Sequence, residues 1–356
     1  GAAMVLLQCS YPNMKPMNYL LSGDFKFENE FIRVPEFPEW FRKMELILFT
    51  ESTYGTTKRQ EIKECFRNNV LEAFERQQDI LIGAFALDRM QRILYDFKIM
   101  QDEGLIPPNY VICCDGPLGI ATNHKYQAIL ETHYPDKKDF MPKGIKYMNS
   151  KSRESIFDGK SHKIVITTSG MLDSGPARVY VPMFLTRENA LIHLVGYAAE
   201  GTLARKLLNA KRSDTVKIGS HVYKRSAVIK TTREKSSHAT GDELIEQLIN
   251  SFSNVQFLGI QHGNTEVREA FYQDVMEQCP NVKAAGIINR ERMYVFSRIP
   301  SSDEDADDKI DIKVCPTGMI NDDKMVFGPK VKKNRKKLEK KQPKKIKKAK
   351  GKRKKK

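Results

Sequence analysis

Four residues of this sequence have types and settings that could do chemistry: Asp24, Glu51, His238 and His262. Glu51 closes the apolar run Leu46-Ile47-Leu48-Phe49 within Met44 to Gly55, MELILFTESTYG. Such a run suits a strand buried on both faces, and the polar cluster with Gly55 that follows favours a strand over a buried helical turn. Ligands collect at the carboxyl ends of strands in α/β sheets, so Glu51 stands where a site is expected. A capping box for the next helix, with Ser52, Thr53 or Thr57 as cap, is the competing reading. Asp24 and His262 also follow apolar segments and offer a carboxylate and an imidazole, the ligand types for Zn²⁺ or another borderline metal. A lone His after a strand is more often structural. His238, inside Lys235-Ser236-Ser237-His238-Ala239-Thr240, is either a helix-start residue or a proton donor, since an imidazole near its ordinary pKa suits protonation of a leaving oxygen.

The elements that must hold these residues alternate. A short strand pair over 4–8 and 18–21 leads into Gly23-Asp24-Phe25, and Pro35 and Pro38 mark 31–43 as a loop. After Glu51 the pattern predicts helix 58–77, strand 79–85, helix 87–103, strand 109–114 and helix 120–132. A Lys-rich irregular stretch over 134–161 precedes strand 163–168, helix 176–186, strand 189–196 and helix 200–209. This succession implies a parallel sheet with right-handed crossovers. Two alternating strands over 215–231 break the pattern, followed by helix 241–252, strand 254–260, helix 265–278 and two strands around 284–298. The style of the chain changes near 60 and near 220, so the middle reads as an insertion into an outer domain.

A chain of 356 residues with 40% apolar content is ample for two cored domains. No apolar run approaches the ~20 residues that span a bilayer, and no signal peptide is visible. The formal charge of +16 is uneven: 18 of the 60 Lys and Arg, against one of the 44 Asp and Glu, lie between Lys330 and Lys356. The remainder is near neutral. That tail has too little apolar content to fold alone and would bind polyanions or act as a nuclear address. The acidic patch over 302–311 is expected to be disordered with it. Six Cys without a CxxC pair or secretory context read as reduced thiols in an intracellular protein, nuclear if the source is eukaryotic and cytoplasmic otherwise.

Six loops that end apolar runs carry unusual polar residues: Gly23-Asp24, Glu51-Ser52-Thr53-Tyr54-Gly55, Asp115-Gly116-Pro117, Thr168 to Pro176, Glu200-Gly201-Thr202 and Gln261-His262-Gly263-Asn264. In this order, over roughly residues 1–275, they resemble the β-CASP branch of the metallo-β-lactamase superfamily. Within that branch the resemblance is to the endonuclease subunit of the cleavage and polyadenylation machinery and its archaeal relatives. The fold so implied is α/β, a partial metallo-β-lactamase αββα domain interrupted by a Rossmann-like parallel-sheet β-CASP cap. The implied boundaries are 1–58 for the partial outer domain, 59–220 for the cap, 221–300 for the return and 301–356 for a disordered acidic and Lys-rich end.

By the same resemblance Asp24 and His262 are ligands of a zinc pair, His238 is the general acid and Glu51 its orienting partner. The resemblance and the charge of the tail together make Ser52, Tyr54, Arg89, Asp115, Ser169, Gly170 and Lys330 the substrate-binding candidates. The implied activity is zinc-dependent hydrolysis of RNA phosphodiesters, of the RNA 3′-end processing or maturation type. The family's His-x-His-x-Asp-His cluster has no counterpart here and would precede Gly1; of the metal ligands only Asp24 and His262 are matched. Thr240 and Asn264 stand where the family usually carries acids. The expectation is a C-terminal portion that is inactive without the metal-binding part, with RNA, other processing subunits or a chain supplying that part as partners. The alternative is a non-catalytic nucleic-acid-binding or assembly subunit.

Overall fold

Apolar runs and the helices between them build two sheets. The computed structural model describes residues 3–63, 65–289, 291–299 and 309–316. Strands β1 (Val5–Cys9) and β2 (Met17–Leu21) pair antiparallel, and a short helix α1 (Glu39–Arg42) leads into β3 (Glu45–Glu51). Then follow α2 (Phe66–Glu75), β4 (Asp79–Gly83), α3 (Arg89–Asp102), β5 (Tyr110–Asp115), α4 (Pro117–His133) and the two-residue β6 (Lys146–Tyr147). Next come β7 (His162–Thr167), α5 (Ala177–Leu185), β8 (Ala190–Val195), α6 (Leu203–Asn209), a hairpin of β9 (Thr215–Ile218) and β10 (His221–Lys224), and β11 (Val228–Thr232). A helical stretch opening with α7 (Gly241–Glu243), then β12 (Asn254–Gln261), α8 (Thr265–Gln278) and β13 (Ala285–Ile287) precede a last hairpin, β14 (Arg292–Ile299) with β15 (Lys309–Pro316).

The six-stranded sheet, in the order β11-β8-β4-β7-β5-β6, is wholly parallel. Its strands are continuous apolar runs because both faces are covered. Ile80, Ile82, Ile164 and Ile166 face the core under α2, α3 and α4, whereas Leu81 and Val165 face the core under α5 and α6. The five-stranded sheet, β1-β2-β3-β12-β13, draws its strands from both ends of the chain, and β2, β3, β12 and β13 run parallel. Leu46 and Leu48 of β3 face the core under α8 and the 241–251 helical stretch, while Ile47 and Phe49 face Phe296, Ile310 and Ile312 of the last hairpin. The architecture is α/β with a wholly parallel six-stranded sheet and a largely parallel five-stranded one.

Three expectations change. Helix 58–77 begins only at Phe66, and Arg59–Glu61 forms a single 3₁₀ turn. The second of the two strands expected over 215–231 joins the parallel sheet as β11, so that sheet extends to Thr232, beyond the boundary expected at 220. Residues 309–316, expected to be disordered, form β15, because Ile310 and Ile312 alternate with polar neighbours and pack on the five-stranded sheet.

The loop after β3 meets the start of α7 at two glycines. Gly241 donates its N–H to the Tyr54 carbonyl at 2.9 Å and the Thr57 carbonyl at 3.0 Å. A Cβ on Gly241 would lie 1.9 Å from the Gly55 carbonyl oxygen. Gly241→Ala is therefore expected to cost roughly 1–3 kcal/mol and lower Tm by several degrees. An unchanged melting curve would show that this crossing is loose.

Candidate active site

Glu51 ends β3 and is buried, the residue 2% exposed. A buried carboxylate is costly unless it is paired and hydrogen-bonded. Both of its oxygens are engaged: Oε1 accepts from the Phe25 N–H at 2.7 Å, and Oε2 lies 2.6 Å from His238 Nδ1. The Phe25 peptide is also held on its far side, its carbonyl accepting from the Ala239 N–H at 2.6 Å. His238 donates its own N–H to Ser236 Oγ at 3.2 Å. Segments at residues 25, 51 and 236–239 thus close one hydrogen-bonded set around the imidazole.

Burial by itself favours the neutral imidazole of His238. The hydrogen bond donated to Glu51 and the charge of that carboxylate, with Asp24 beyond, more than offset that burial and the opposing charge of Arg89, so the His238 pKa is raised. With Nδ1 turned to Glu51, Nε2 is the ring nitrogen left for a substrate. The Tyr54 ring meets His238 edge-on, with centroids 6.1 Å apart and planes at 89°.

Helix α3 holds the segment that leads to His238. Arg89, a substrate candidate, is buried and donates from Nε to the Lys235 carbonyl at 3.0 Å. Its guanidinium lies 4.9 Å above the Phe85 ring and packs on Gly196. Burial pulls its pKa down to about 10, which leaves it charged at neutral pH. One turn on, Arg92 donates to the carbonyls of Glu234, Lys235 and Ser236 and pairs with Glu30. Lys235 Nζ in turn reaches Glu30 at 2.7 Å and Asp96 at 2.8 Å. Sequence reasoning passed over Arg92, Lys235 and Glu30. The available signal was Arg92 one turn after Arg89 on a helix whose other buried residues are mostly apolar.

Asp24 and His262 stand beside this pair in a wetter setting. Each side chain is 52% exposed, and His262 Nδ1 lies 2.8 Å from Asp24 Oδ1. His262 and Gly263 both have left-handed backbone, at φ 54° and 82°. At Gly263 a Cβ would come within 2.7 Å of the Ser52 carbonyl oxygen.

The remaining candidates divide. Ser52 is fully buried, and its hydroxyl donates to the carbonyls of His262 at 2.8 Å and Gln261 at 3.1 Å; it braces the His262 turn rather than facing a substrate. Asp115 is also fully buried, paired by both oxygens with Arg153 at 2.7 and 3.0 Å and accepting from the Tyr180 hydroxyl at 2.8 Å, so it is a structural ion-pair residue in place of a substrate contact. Ser169 and Gly170 lie on the loop after β7, where a Cβ on Gly170 would approach the Phe85 ring to 3.3 Å, one layer behind Arg89. Lys330 lies outside the described residues.

Ligand atoms of Asp24, Glu51 and His238 lie within 4.8 Å of one another. Glu51 is fully engaged by Phe25 and His238, however, which leaves Asp24 and His262 as the metal donors not otherwise tied into the fold. A catalytic zinc takes about three protein ligands. The described residues alone therefore do not fit a zinc pair.

Residues 90–207 match the Beta-Casp domain family. The chain is 28% identical over 261 residues to the transcription termination factor FttA of Methanococcus maripaludis, covering 65% of this chain and 38% of that protein. It is 29% identical over 272 residues to the probable RNase MJ4 of Methanocaldococcus jannaschii, covering 74% and 59%. With the endoribonuclease ysh1 of Schizosaccharomyces pombe the identity is 26% over 245 residues, covering 64% and 31%. The chain thus spans between about a third and three fifths of the length of these curated relatives.

Two substitutions separate positioning from structure. Glu51→Gln removes the charge that raises the His238 pKa, so the His238 ring-proton titration followed by NMR is expected to move to lower pH. Because that pKa is raised in the folded state, its stabilising contribution is present at low pH and is lost as pH rises through it; the variant should lose that slope. Asp115→Ala is expected to cost roughly 3 kcal/mol by leaving Arg153 unpaired, read as a lower denaturant midpoint. An unchanged midpoint would show that the Asp115–Arg153 pair does not hold this part of the fold.

Proposed function

Because this chain belongs to the β-CASP branch of the metallo-β-lactamase superfamily, we propose that it is the cap-bearing C-terminal portion of a zinc-dependent endoribonuclease of the RNA 3′-end processing or maturation type. The observation that carries this reading is the buried Glu51 carboxylate 2.6 Å from His238 Nδ1, with Asp24 and His262 alongside. In the proposed division the outer domain takes residues 1–58, the cap runs from 59 through the end of β11, and the outer domain resumes beyond it.

In this reading the scissile P–O bond breaks as water adds to phosphorus and gives up a proton to solvent, and His238 passes a proton from Nε2 to the departing oxygen. Glu51 raises the pKa of the imidazole and fixes its tilt, with the proton on Nδ1 turned toward the carboxylate. Arg89, buried and charged beside the His238 segment, adds positive potential where a phosphodiester would lie. Asp24 and His262, side by side at 2.8 Å, are the proposed zinc donors, and a zinc pair needs further donors from residues beyond those described. The Lys330–Lys356 stretch, by composition alone, adds an RNA-attracting polycation. Other RNA-processing subunits complete the proposed set of partners. No helix among the described residues is long and apolar enough to cross a membrane.

A second reading, a non-catalytic RNA-binding or assembly subunit, is favoured by that short donor list. The two readings separate in the natural full-length protein loaded with zinc. His238→Asn is expected to lower kcat roughly 10²–10⁴-fold with RNA Kd within twofold. Activity should fall on the alkaline side as His238 loses its proton, and Glu51→Gln should move that limb to lower pH. Cleavage by His238→Asn at the parent rate would remove His238 from the acid's role. A zinc-loaded parent protein that binds single-stranded RNA and never cuts it would establish the second reading.

A further inference from the structure

A cavity of about 340 Å³ opens where the loops after β3, β8, β11 and β12 converge. It adjoins His238 through Tyr54, which forms one wall and meets that imidazole edge-on at 6.1 Å. Tyr197, half-buried, forms another wall; its ring stands edge-on to Tyr54 at 6.2 Å, and its hydroxyl reaches Asn264 Oδ1 at 3.4 Å. Two guanidinium groups flank the rings, Arg233 at 5.7 Å from the Tyr54 centroid and Arg205 at 5.9 Å from that of Tyr197. Arg205 pairs with Glu200 at 3.2 Å. Arg233 is exposed and has no carboxylate within salt-bridge distance among the described residues.

Aromatic faces beside guanidinium groups, of which Arg233 has no carboxylate partner among the described residues, are the chemistry that single-stranded nucleic acid selects, since bases stack on rings and phosphates pair with Arg. The volume lies at the low end of the roughly 300–1,000 Å³ of small-ligand sites, which suits one nucleotide and not a folded partner. We propose that this cavity seats the nucleotide adjoining the scissile bond, with its base on Tyr197 and its phosphate on Arg233. The proposal rests on the endoribonuclease reading above. It makes Tyr197 and Arg233 binding residues, distinct from the proton chemistry of His238, and leaves Asn264 and Arg205 to hold the Tyr197 ring in place.

The test uses the full chain and a single-stranded RNA with 4-thiouridine at successive positions, photo-crosslinked without added metal and mapped by mass spectrometry. A crosslinked peptide containing Tyr197 is expected. Tyr197→Phe should retain it, because stacking needs the ring alone, and Tyr197→Ala should lose it. Arg233→Gln should reduce its yield at least fivefold with Tm unchanged, and should lower the salt slope of RNA binding by about one. Crosslinks confined to the Lys-rich tail, or Arg233→Gln with parent yield and slope, would overturn the subsite. Neither outcome bears on cleavage, which the His238→Asn assay decides separately.

Discussion

One buried carboxylate holds the candidate site together. Glu51 cannot remain charged at 2% exposure without partners, and the partners it has are a backbone N–H from residue 25 and the imidazole of residue 238. Satisfying that charge brings β3, the Asp24 loop and the segment before α7 to a single point. The Phe25 peptide extends the set, because its N–H faces Glu51 and its carbonyl faces Ala239. A rotation at any of these three segments would leave a buried polar group unpaired, which costs more than the hydrogen bond itself contributes.

The imidazole is aimed from the cap side as well. Arg89 and Arg92 project from consecutive turns of α3 into the carbonyls of 234–236, so a helix of the parallel-sheet region determines where a residue of the neighbouring sheet's loop stands. Glu30, Asp96 and Lys235 complete this charged layer; burial pushes the Asp96 carboxyl up to about 6, with Lys235 holding it back. Buried ion pairs of this kind add little net stability relative to apolar packing, and their value lies in specifying one geometry. Here the specified geometry is the approach of His238 to Glu51.

The two halves of the site differ in solvent access, and that difference suits different work. The Glu51–His238 pair is shielded, which strengthens its electrostatics, and the Glu51 hydrogen bond and charge outweigh burial so that the imidazole pKa is raised. Asp24 and His262 are half-exposed and face each other across a left-handed turn braced by Ser52, an arrangement open to further donors or to a substrate. Between them the loops after four parallel strands form the rim on which the Tyr54, Tyr197 and Arg233 cavity sits.

The sequence by itself determined the alternation of strand and helix, because a strand buried on both faces needs an unbroken apolar run and α/β crossovers need helices between such runs. It also marked the polar loops at the strand ends, since turn residues and candidate chemistry occur there together. Residue type could not separate Glu51 from Asp115: both are acids at the ends of apolar strands, and only the tertiary structure set one against an imidazole and the other against Arg153 and Tyr180. Ser52 was equally opaque, its hydroxyl claimed by carbonyls more than two hundred residues away. Strand β15 was hidden by the acidic composition just before it, although Ile310 and Ile312 alternate as a one-faced strand requires. Local periodicity is written in neighbours a few residues apart, whereas the partner of a buried charge is decided by which backbones cross, and that depends on the packing of both sheets at once.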